Sequence, residues 1–120
     1  MNTINSLEIS LLNKEDIINL IFIFLAILNV TGNKHLRSSK LNNSLEETIT
    51  ANRIFTFVII ITILINLYFF IRNKHESTLH PNQKEYQVKV LGSLLFIIGG
   101  FCLLYFQISL KESQIGSPTL

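Results

Sequence analysis

At 120 residues the chain has room for one domain, and its 10 Lys and Arg against 8 Asp and Glu leave a formal net charge of +2. That charge is too dilute for the concentrated basic face that nucleic acid demands. Hydrophobic residues at 48% are ordinary, but charged residues at 15% fall below the roughly 25% of soluble proteins, and the lone Cys102 excludes an internal disulfide.

The distribution of these residues is more telling than their number. Residues 17–30, 54–71 and 90–110 are apolar runs that contain none of the charged side chains. A chain this short cannot wrap three almost wholly apolar helices in a polar exterior, so the solvent that suits them is a bilayer. The expected fold is all-α: an integral membrane protein with three transmembrane helices in a small helical bundle. The helices are expected at about 14–31, 45–72 and 81–110, in a single multi-pass domain with a flexible C-terminal tail at 111–120.

The first run is marginal as a span. It has 14 residues, including Asn19 and Asn29, where crossing needs about 20 and at least ~17. An interfacial or re-entrant element is its alternative. Asn13 reads as its N-cap, with Glu15 and Asp16 near the positive end of the helix dipole. Gly32 reads as the C′ residue that ends it. The preceding segment carries Glu8, Glu15 and Asp16 where a signal peptide would be basic, so cleavage is not expected. Segment 33–43 is expected to be a loop, its Lys34, His35 and Arg37 forming a basic patch suited to anionic headgroups.

Ser44-Leu45-Glu46-Glu47 matches a capping box, which starts the second helix well before its apolar run and accounts for both carboxylates. That helix is expected to end near Arg72, followed by a loop over 73–80. Pro81 suits the first turn of the third helix, where a missing N–H costs nothing. With three spans, each side of the membrane receives five Lys and Arg, so the positive-inside rule returns a tie.

In lipid, helices associate through small residues that permit close approach and polar residues that hydrogen-bond. At 100° per residue the third helix gathers Lys89, Gly92, Ser93, Phe96, Gly99, Gly100, Leu103 and Gln107 into a stripe about 120° wide. The second gathers Thr48, Asn52, Thr56, Thr62, Asn66 and Asn73. The expected helix-packing residues are Gly92, Ser93, Gly99, Gly100 and Gln107 with Thr62 and Asn66, the two faces packing on each other and on the first helix. A water-filled path along them is the sharper alternative. It is disfavoured because no ionisable residue lies within the runs, whereas proton- and ion-coupled transporters usually carry one.

No chemistry is evident. His75, Glu76 and His80 match no zinc spacing, and no serine has a histidine and acid in a nucleophile pattern. Walker, dinucleotide and CxxC motifs are lacking. The chain is therefore read as a non-enzyme with no catalytic residue, cofactor or metal. Its expected role is packing against a membrane partner as an accessory subunit, regulator or immunity-type protein. The alternative is a homo-oligomeric pore or transporter component, including a holin-like role. Expected partners are the lipid bilayer and either another membrane protein or further copies of itself. Heavy use of Ile and Asn suggests an AT-rich bacterial genome, hence the bacterial cytoplasmic membrane.

Overall fold

A computed structural model describes residues 3–116. They form three α-helices: α1 Thr3–Asn42, α2 Leu45–Leu79 and α3 Lys84–Gly116. Two of them, α2 and the Lys84–Leu110 portion of α3, are long and apolar enough to cross a membrane. The 40 residues of α1 do not pass that test, because its 14 apolar residues sit between polar segments.

All three helices are longer than expected. Neither Asn13 nor Gly32 bounds α1, which starts at Thr3 and runs straight through both. Gly32 serves another purpose: a Cβ there would stand 2.6 Å from Phe55 Cε1, so the glycine makes room for an α2 side chain. The real stop is Asn43, at φ 50°, a left-handed conformation that asparagine tolerates better than most residues. Ser44 N–H then donates to the Ser39 carbonyl at 3.0 Å, closing a Schellman-type end. The expected loop over 33–43 is thus helix almost to its last residue. On the α2 side the cap forms as expected, with the Glu47 N–H donating to Ser44 Oγ at 3.3 Å. Ser39 Oγ donates to the Ser44 carbonyl at 2.7 Å and also meets Thr48 Oγ1, tying the turn to both helices.

At its other end α2 continues past Arg72 to Leu79. Pro81 fixes where it stops: the residue before a proline is pushed out of helical geometry, and His80 sits at φ −130°, ψ 65°. Pro81 itself lies in the connecting turn, and α3 starts three residues later. The His80 ring stacks on Tyr86 across that turn, with centroids 4.5 Å apart. Helix α3 persists to Gly116, into the segment expected as a tail; residues 117–120 lie outside the described residues.

The helices pack antiparallel in sequence order. Helix α2 is central and touches both neighbours, while the backbones of α1 and α3 do not meet. The result is a slab of 62 × 24 × 16 Å instead of a closed three-helix bundle. Leu25, Val58 and Ile65 form the buried centre of the α1–α2 seam, flanked by Ile18, Ile54 and Phe69. In the α2–α3 seam Gly100 admits Ile63, whose Cγ1 lies 2.7 Å from where a Cβ would be, beside buried Ile97. The pairs Glu15–Arg72 and Gly32–Phe55 set one register and Ile63–Gly100 the other. In these registers the three apolar runs are centred at one height.

Candidate helix-packing site

Polar side chains join the helices at one end of the slab. Arg72, only 11% exposed, lies 3.5 Å from Glu15 of α1 and 3.3 Å from Glu76 one turn further along α2. Glu76 also reaches Lys89 of α3, at 3.5 Å. Four charges therefore run across three helices just beyond the apolar level. The Arg72 guanidinium also sits 5.8 Å from the Phe69 ring centroid, so its stem is covered by aromatic surface while its head stays with the acids. One turn inward of Glu76 and Lys89, Asn73 Nδ2 donates to Ser93 Oγ at 2.5 Å, and Ser93 Oγ donates to the Lys89 carbonyl at 3.0 Å.

Because α1 and α3 stay apart, one face of α2 forms the floor of a groove between them. One stretch, of about 530 Å³, is lined by Thr62, Asn66, Phe69 and Asn73 of α2, by Lys89, Gly92, Ser93 and Phe96 of α3, and by Phe22 of α1. A second, of about 300 Å³, shares Thr62 and continues past Asn29, Gly100 and Gln107. The α2 residues follow helical spacing, so both stretches lie along the same side. The opposite side of α2 carries Phe57, Ile60, Leu64, Leu67 and Ile71, all exposed. The convex side of α2 is thus wholly apolar over this stretch, whereas the concave side sets Thr62, Asn66 and Asn73 among Phe55, Ile59 and Phe69.

Each expected packing residue has a definite place in this arrangement. Gly100 and Ser93 are buried between α2 and α3. Thr62 lines both parts of the groove and returns its hydroxyl to the Val58 carbonyl at 2.8 Å, as threonine does when no better acceptor is near. Asn66 and Gly92 line the larger part and Gln107 the smaller. Gly99 is exposed, and a Cβ added to it would meet nothing within 4 Å, so it makes no close approach within the chain. The two stripes touch where Asn73 bonds Ser93 and otherwise lie side by side along an open groove.

Two groove residues carry a buried amide oxygen with no partner, Asn73 Oδ1 and Gln107 Oε1. Among the described residues no cluster of His, Cys, Asp or Glu is arranged to hold a metal ion. The contribution of α1 to the groove, through Phe22 and Asn29, and the Glu15–Arg72 pair both depend on helix register, which no local pattern reveals. Comparison with known proteins finds no matching family model, no matching curated protein and no matching solved structure, so function must be argued from the groove and its surroundings.

Proposed function

We propose that this chain is an integral membrane protein that works without catalysis, by packing the groove along α2 against a helix in the same bilayer. Its role is that of an accessory subunit, regulator or immunity-type protein, and its location is the bacterial cytoplasmic membrane. The observation that carries this reading is the contrast between the two faces of α2.

In water the convex face would leave Phe57, Ile60, Leu64, Leu67 and Ile71 unburied. Each forgoes part of the roughly 1.5–3 kcal/mol that burial of such a side chain contributes. Only 17% of the most apolar stretch of α2 or α3 is buried within the chain, whereas the core helix of a soluble protein is mostly covered. A bilayer removes that deficit. It also reverses the cost, because Thr62, Asn66, Asn73 and Gln107 then become the groups that prefer protein to lipid. Helix α1 crosses as well in this reading. Its apolar run is level with the others, and 14 residues cover about 21 Å of a core roughly 30 Å thick. Lys14 and Lys34 at its two ends can snorkel to the interfaces over the remainder.

Alkaline carbonate extraction of native membranes, followed by affinity purification in mild detergent, tests this function. The chain is expected in the pellet, with a stoichiometric membrane partner that Asn66→Leu reduces. Release into the supernatant, or a partner unaffected by groove substitutions, would contradict it. The second reading, a homo-oligomeric pore or holin-like protein, is favoured by one observation: the groove carries Thr62, Asn66, Asn73 and Gln107 along its length but is open on one side, so one chain cannot enclose a path. Dye release from liposomes distinguishes that reading from pure packing.

A further inference from the structure

We infer that the convex side of the α1–α2 seam is a binding site for one anionic phospholipid, which lays an acyl chain in a furrow and sets its phosphate on Arg53. The inference rests on the membrane reading above, which puts this side of α2 in lipid. The furrow, of about 300 Å³, is bounded by Phe24 and Leu28 of α1 and by Arg53, Ile54 and Phe57 of α2. Its floor is Leu28 and Ile54, both packed on the buried centre of the seam. Its walls are Phe24 and Phe57, one from each helix and both exposed.

The furrow has the depth of one leaflet. Arg53 stands immediately before the apolar run of α2, at the level of the lipid phosphates. By the Gly32–Phe55 register, Phe24 lies about ten residues, roughly 15 Å, deeper. That is half of a hydrocarbon core about 30 Å thick, so Phe24 marks the midplane. A chain laid along the furrow therefore runs from phosphate to midplane, as an acyl chain does. Apart from Arg53 the lining is apolar, which suits a hydrocarbon chain. Such a lining holds one acyl chain as readily as another, because apolar burial gains little in lipid. Selectivity must come from the cation at its outer end.

Charge selects the headgroup. Arg53 is exposed and has no hydrogen bond or ion pair among the described residues. Its guanidinium is free to meet a phosphate through two parallel N–H donors. Lys34 of α1 is exposed at the same height in the same register. The acids of this end are placed elsewhere: Glu47 turns to His35 at 3.9 Å, and Glu46 stands about 10 Å further from the membrane than Arg53. Lys34, Arg37, Lys40 and Arg53 outnumber these two carboxylates, so the end attracts anionic lipid. A zwitterionic headgroup would bring its own ammonium toward the same cations. The seam has a second hollow at its other end, beside Leu7, Leu11 and Tyr68, but Arg72 there is already held by Glu15 and Glu76.

The test exploits the absence of tryptophan from the chain. Phe57→Trp puts a single fluorophore on the furrow wall. Phe106→Trp puts one at the same height on the exposed surface of α3, by the Ile63–Gly100 register. Each variant is reconstituted in phosphatidylcholine bilayers containing, at equal mole fraction, either phosphatidylglycerol or phosphatidylcholine brominated on its acyl chains. From the quenching of Phe57→Trp, phosphatidylglycerol is expected to bind roughly fivefold more tightly, the equivalent of about 1 kcal/mol for one cation at a membrane surface. Phe106→Trp should show little preference. Adding Arg53→Met to Phe57→Trp should abolish the preference, whereas adding Lys74→Met at the other end of α2 should leave it. No preference at Phe57→Trp, an equal one at Phe106→Trp, or one that survives Arg53→Met would each overturn the proposal. Fluorescence that no brominated lipid quenches at either position would instead overturn the membrane reading beneath it.

Discussion

Adjacent glycines on α3 are expected to respond in opposite directions to the same methyl group. Replacing glycine by alanine inside a helix is favourable by about 1 kcal/mol when nothing else changes. At Gly99 nothing else changes within the chain, since the added Cβ has no neighbour within 4 Å. At Gly100 the Cβ would stand 2.7 Å from Ile63 Cγ1, 3.5 Å from Cδ1 and 3.9 Å from Cβ. Ile63 is 5% exposed and β-branched, held by its own helix to essentially one χ1 well, so it cannot swing aside. The helices must separate or the side chain must strain, at an overpacking cost of about 1–3 kcal/mol. The net expectation is up to about 1 kcal/mol of stabilisation for Gly99→Ala and roughly 0–2 kcal/mol of destabilisation for Gly100→Ala. The assay is reversible SDS unfolding in mixed micelles, followed by circular dichroism at a detergent excess that keeps the protein monomeric. Finding Gly100→Ala as stable as Gly99→Ala would refute the packing assigned to α2 and α3.

Three further outcomes follow from the contacts. A double-mutant cycle on Asn73→Ala and Ser93→Ala should give a coupling of about 0.6–1.7 kcal/mol, the range of interhelical polar pairs in membranes; zero coupling would mean the bond is not made. Arg72→Met leaves Glu15 without its cation and Glu76 with Lys89 alone, and should destabilise by less than the roughly 3–5 kcal/mol of a fully buried broken pair, since Glu15 is partly exposed. Micelle unfolding measures this too, and a more stable variant would contradict the network. Ser44→Ala removes the acceptor of the Glu47 N–H and should cost about 1 kcal/mol, with increased hydrogen exchange confined to the first turn of α2.

The all-helical fold and the count of three helices were legible in the apolar runs, and the start of α2 was legible in Ser44 and Glu47. The other ends were not. Gly32 carries the signature of a helix end, but that signature cannot be told from a glycine that makes room for a ring on another helix, as Phe55 shows. The extension of α2 to Leu79 depends on partners twenty and thirteen residues away, Ser93 for Asn73 and Lys89 for Glu76, which no local pattern contains. The packing stripes were grouped by helical period, but period gives a direction around a helix and not the neighbour it faces. Gly99 and Gly100 differ by 100°, enough to separate a buried contact from a bare lip.

The central claim is that the convex face of α2 lies in lipid and the concave face does not. Nitroxide labels at Leu64 and at Asn66, each in reconstituted bilayers, test it most directly through collisions with dissolved oxygen and with a water-soluble nickel chelate. The account predicts high oxygen and negligible nickel accessibility at Leu64, with oxygen accessibility clearly reduced at Asn66. Nickel accessibility at Leu64, or equal oxygen accessibility at the two positions, would contradict it.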